Sequence, residues 1–221
     1  MKRSTITIDY LRSGYLALLF MLAGASGVPA VAHPHAWIDL RSTVVLDAEG
    51  RVVAIEQQWL FDEFYTVFAL DGLKTPADGR DPRLVELARV NLENLRPYGY
   101  FTEVRADGAK VTLGTVKEFE TALRSGRLWL RFIVPLDKSI DPRREKASFS
   151  VFDPTYYIEI LHMKDDVIAF HGAGANACSG RITPPNPTTE TVMLAAALDR
   201  GAKADDTLGA LFAETVVVQC R

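Results

Sequence analysis

Apolar and polar residues alternate from Ala36 to Leu46, with Ala36, Ile38 and Leu40 on one side and His35, Trp37 and Asp39 on the other. A period of two marks a strand with one face buried. Turn residues follow at Asp47-Ala48-Glu49-Gly50, then a second strand-like run from Val52 to Phe61, so the pair reads as a β-hairpin. Asp62 and Glu63 open a short apolar helix to about Leu70, with acids where the helix dipole favours them. A Gly-, Pro- and Asp-rich loop leads to Pro82, a good first helical residue. Leu84, Leu87, Ala88, Leu92 and Leu95 follow at helical spacing, and Pro97 and Gly99 end the run.

Strand patterning returns over 100–104 and 110–116 around Asp107-Gly108, and over 119–123 and 128–134 around Ser125-Gly126. Residues 137–146 read as a polar linker. Residues 147–152, 156–163 and 167–171 continue the sheet, with Lys164-Asp165-Asp166 as a turn. Pro184, Pro185 and Pro187 precede a helix over 190–198, and Thr215–Cys220 closes as a strand. Strands arrive as hairpins rather than alternating with helices. The expected fold class is β-rich α+β: antiparallel sheets built from hairpins, two or three inserted helices, and one C-terminal disulfide.

The first 32 residues lie outside that pattern. Lys2, Arg3 and Arg12 precede an apolar run from Tyr15 to about Leu22, then small residues to Ala30-Val31-Ala32. This is the layout of a cleaved secretory signal. A spanning helix needs about 20 apolar residues, and Gly24, Ser26, Gly27 and Pro29 interrupt this run early. The expectation is therefore a signal peptide over 1–32 and a single exported, periplasmic domain over 33–221. Removing the leader takes the formal charge from −3 to −5, a balance unsuited to nucleic acid, which needs clustered Lys and Arg.

An oxidising compartment makes Cys178 and Cys220 a disulfide pair, in preference to a thiolate metal site, which wants closer spacing. Cleavage after Ala32 would leave His33 as the first residue, offering its α-amine and imidazole together, with His35 two positions on and on the same strand face. Imidazoles suit zinc, copper and nickel. Pro34 lacks the amide proton that a square-planar amino-terminal copper site requires, so other ligands must complete any shell. Asp62 and Asp153 are the candidates, each with a structural alternative as helix cap or turn former. Asp39 lies about 13 Å from His35 along a strand, too far to share an ion. A frayed terminus that binds nothing is the alternative for the histidines themselves. His162 and His171 read as separate residues about 13 Å apart on a hairpin, and no local signature of a catalytic triad is present.

Several strings together carry a resemblance: AHPHAWID after the leader, WLFDEFY, FDPTYYIEI, ACSGRI and the closing LGALFAETVVVQC. The chain resembles the bacterial periplasmic family called domain of unknown function 1007, labelled as the periplasmic component of an ABC-type transport system. The resemblance implies metal handling beside a nickel/cobalt or zinc membrane transporter, with the His-Pro-His motif at His33 and His35. Some relatives carry a calcium loop between the early helices. Here Lys74, Pro76 and Val85 stand at ligand positions, so no calcium is expected over 74–85. Three readings follow: an accessory protein for a divalent transition metal, a copper histidine-brace enzyme, or a metal-free scaffold that docks a transporter.

Overall fold

The computed structural model describes residues 34–71, 81–164, 168–198 and 207–221. The leader, His33, and most of the loop expected to lack calcium lie outside the described residues. Two sheets are formed. In the first, β1 (Ala36–Leu46) and β2 (Val52–Phe61) form the expected hairpin, β6 (Arg127–Ile140) pairs with β2, and β5 (Phe119–Arg124) lies outside β6. In the second, β10 (Cys178–Thr183), β11 (Thr215–Cys220), β7 (Ala147–Val151), β3 (Thr102–Ala106) and the two-residue β4 (Ala109–Lys110) lie side by side, all antiparallel.

The alternation of β1 is realised without a break. Its even-numbered residues from Ala36 to Leu46 are buried and its odd-numbered ones face outward. Apolar residues of both sheets, among them Leu40, Trp59 and Phe132 from the first and Phe149, Val151 and Val216 from the second, belong to one core cluster. Polar groups inside it are paired. Gln57, fully buried, accepts from Trp59 Nε1 at 2.6 Å and donates to Thr102 Oγ1.

Among the described residues, three helices flank the sheets. The first, α1 (Glu63–Ala69), is capped by Asp62, whose side chain accepts from Tyr65 N. Its Thr66 Oγ1 donates to Asp62 O at 2.7 Å and accepts from Leu128 N at 3.0 Å, tying the helix to β6. The second, α2 (Pro82–Leu95), starts on a capping Asp81 and buries Leu84, Ala88 and Leu92, one stripe of a 3.6-residue period. The third, α3 (Thr189–Ala197), buries Ala195 in a small cluster with Tyr156 and Leu208. Among the described residues no helix is long and apolar enough to cross a membrane. Cys178 and Cys220 are bonded and sit opposite each other in the β10–β11 ladder.

Four local expectations differ from the fold. The strand expected from Tyr100 begins only at Thr102, because Gly99, Tyr100 and Phe101 all adopt positive φ, which extended backbone does not accommodate. The strand expected over 110–116 shrinks to β4 plus a single bridge, Leu113 to Leu136. That bridge and the Asp137 N to Thr112 O bond carry β6 into the stretch read as linker. Finally, β8 (Ile158–His162) and β9 (Ala169–His171) do not pair with each other. Both run parallel to β1, one after the other along the same edge, with His162 opposite Leu40 and His171 opposite Val45.

Candidate functional site

The topology gathers three of the four proposed metal ligands at one end of the first sheet. His35 N donates to Tyr157 O at 2.8 Å just before β1 pairs with β8. At the same end, β2 finishes at Phe61, and Asp62 exchanges two bonds with the opposite backbone: its Oδ2 accepts from Trp37 N at 2.8 Å, and its N donates to Trp37 O at 2.9 Å. The third, Asp153, precedes β8 and accepts there from Ile158 N through Oδ2 at 3.0 Å.

Their carboxylates are not equally available. Asp153 is 6% exposed, and its Oδ1 already holds both the backbone N and the Oγ1 of Thr155. Three donors on a buried carboxylate describe a turn former. Each oxygen of Asp62 holds one backbone N–H, Tyr65 N on Oδ1 and Trp37 N on Oδ2, and each retains a lone pair. Asp39 is committed to Arg127 at 2.8 Å. Among the described residues, no three His, Cys, Asp or Glu side chains are grouped so as to hold a metal ion.

The surroundings of this end are aromatic and apolar. The His35 and Tyr157 rings lie 4.6 Å apart between centroids. Trp37 and Tyr157 are each about half exposed. On α1, Phe64, Val67 and Phe68 form an i, i+3, i+4 face and are exposed by 83%, 73% and 80%. The Asp62 cap and the Thr66 anchor hold that face outward. Tyr156, in the turn before β8, stacks on Phe212 at 3.9 Å and donates to Glu159 at 2.9 Å. Burial, reinforced by the Glu159 charge, pushes its phenol well above the ordinary range.

A second constellation went unread in the sequence. His162 Nδ1 meets Glu214 Oε2 at 2.7 Å, the same oxygen accepts from His162 N at 2.8 Å, and His162 Nε2 meets Ser42 Oγ at 2.9 Å. The atom order is that of a serine–histidine–acid triad. Ser42 and His162 are nevertheless buried, in strands that face the core, with Phe149 beside the histidine ring. A substrate carbonyl has no approach to that hydroxyl, so the chain of bonds serves the fold. It lies at the level of β1 where β8 has ended and β9 has not begun. No spacing rule links residues 42, 162 and 214. Only the parallel placement of β8 beside β1 joins the first two.

Comparison with known proteins agrees with the resemblance in the sequence. The family described as "Protein of unknown function (DUF1007)" matches over residues 16–220. The chain belongs to this family. A similar protein from Haemophilus influenzae (strain ATCC 51907 / DSM 11121 / KW20 / Rd), described as "Uncharacterized protein", is 24% identical over 194 residues, covering 86% of this chain and 92% of that one. The "Uncharacterized 15.5 kDa protein in trpE 3'region" of Spirochaeta aurantia is 28% identical over 89 residues, covering 40% of this chain and 63% of that protein. No solved structure matches. Membership in this DUF1007 family thus spans both sheets and the His-Pro-His end without supplying an activity.

Proposed function

We propose that this protein is an exported accessory protein that handles a divalent transition metal at the N-terminal end of its first sheet, beside a membrane transporter. His33 and His35 would supply imidazoles and Asp62 a carboxylate. The observation that carries this reading is the pair of bonds between Asp62 and Trp37, which brings an acid with spare lone pairs next to the strand that His35 begins. A terminal amine and two imidazoles suit zinc, nickel or copper, and a carboxylate is a common further ligand. Asp153, saturated by protein donors, is better placed to shape this end than to bind.

The test is calorimetric titration of the processed protein with zinc, nickel and copper, with intact mass to fix the first residue. His33→Ala with His35→Ala should abolish binding. Asp62→Asn, which keeps a capping acceptor, should weaken it about tenfold or more, the effect of losing one charged contact. Equal affinity in all three proteins would overturn the reading.

The exposed face of α1 supports the second reading, a metal-free scaffold that docks a membrane protein. Contiguous exposed apolar side chains mark interaction surfaces. A protein that takes up no metal but loses transporter association on Phe64→Ser with Phe68→Ser would establish the scaffold instead.

A further inference from the structure

Among the described residues, the longest run of left-handed backbone lies just before β3. Gly99, Tyr100 and Phe101 have φ of 61°, 56° and 57° in succession. Left-handed residues normally occur singly, and for non-glycine residues that conformation is disfavoured by the crowding of Cβ against the carbonyl. Two bulky aromatic residues in a row therefore carry strain that their surroundings must hold. They are held closely: Phe152 N donates to Phe101 O at 2.8 Å, Thr102 Oγ1 donates to Tyr100 O at 3.1 Å, and Val116 N donates to the Tyr100 hydroxyl at 3.1 Å. Strained backbone that is pinned in this way concentrates at ligand sites.

The aromatic rings of residues 98–101 go to two destinations. Tyr100 enters the core at 3% exposure, whereas Tyr98 and Phe101 line a groove of about 370 Å³ together with Phe152 and Pro154. Tyr98 is 58% exposed, a large ring standing at the rim. The groove's other end is charged. Glu103 there is shared by Arg105 and Lys110, two cations against one anion. Lys110 is 67% exposed, and its ammonium has three donors, of which Glu103 takes one. The groove joins aromatic rings to a broad polar and charged end, and its volume of a few hundred cubic ångströms is that of small-molecule sites.

We propose that this groove binds a small organic anion with a flat aromatic body, its ring seated among Tyr98, Phe101 and Phe152 and its carboxylate directed to Lys110. Ring stacking supplies the body of the affinity, and the uncompensated positive charge selects the anion. Phe152 and Pro154 flank Asp153, so the groove adjoins the histidine end, but its ligand would be held by residues other than His33, His35 and Asp62.

The experiment is an amide NMR titration of the isotope-labelled protein with 1-naphthoate, and in parallel with the uncharged 1-naphthalenemethanol. Saturable shifts confined to residues 98–111 and 152–154 are expected, with the alcohol binding about tenfold more weakly or worse, the scale of one charged contact. Tyr98→Ala and Lys110→Ala alter exposed side chains, and each variant's own spectrum reports its folding. Both should weaken naphthoate about tenfold or more. Absence of saturable shifts, shifts centred instead on Phe64 and Phe68, or unchanged affinity in both variants would overturn the assignment.

Discussion

Glu214 shows how much one side chain can organise. A single carboxylate oxygen receives both the amide and the ring nitrogen of His162. With Nδ1 as donor, Nε2 is left to accept from Ser42, so Glu214 fixes the tautomer of a buried ring. Glu214→Ala should strand two buried donors and cost about 1–3 kcal/mol in urea unfolding, whereas Ser42→Ala should cost less because it removes a donor and leaves one acceptor unpaired. Equal and negligible losses would show that the network contributes nothing. Such a residue is illegible in sequence: Glu214 reads as an acid before a strand, and its partner lies 52 positions away. Asp62 is the opposite case. Its helix-capping role is visible in the string FDEFY, although its grip on Trp37 is not.

At the scale of elements, alternation proved sufficient for the extent of several strands. The bounds of β1, β2 and β11 follow the sequence pattern residue for residue. It did not reveal which strands lie side by side. Periodicity shows which face is buried but not the direction of the neighbour, so the parallel seating of β8 and β9 against β1 could not be read. It also failed at β10, whose alternately half-buried and exposed CSGRIT offers no large apolar stripe. That strand is instead joined to β11 by the disulfide as well as by the ladder. Closing a loop of this length should contribute about 4 kcal/mol. Unfolding in the presence of a reductant, or of Cys178→Ala with Cys220→Ala, should therefore show a lower midpoint. An unaltered midpoint would mean that the ladder alone holds the edge.

Across the whole molecule, several carboxylates are held below their ordinary range by arginine or lysine. The amide and guanidinium of Arg51 act on Asp47, Arg83 on Asp81 and Arg143 on Asp141. For Glu103, burial raises the carboxyl but Lys110 and Arg105 outweigh it. Each folded value lies below the ordinary 3.8 of Asp or 4.5 of Glu. The associated stability is thus complete above those values and lost as pH falls through the lower folded ones. Melting temperature should hold from neutral pH to about 5 and then decline on acidification, less steeply in high salt, where exposed pairs are already screened. A flat profile down to pH 2 would show that these pairs do not stabilise the fold.

One feature of the second sheet bears on how it closes. Of the strands in the second sheet, β11 is the latest in sequence, yet it occupies an interior place between β10 and β7, and Arg221 N donates to Ala177 O at 3.1 Å. Until β11 is in place, β7 and β10 each present an unmatched edge and the core lacks Val216 and Val218. The second sheet therefore cannot close, nor the shared core fill, before β11 has paired on both of its sides. The keystone arrives last.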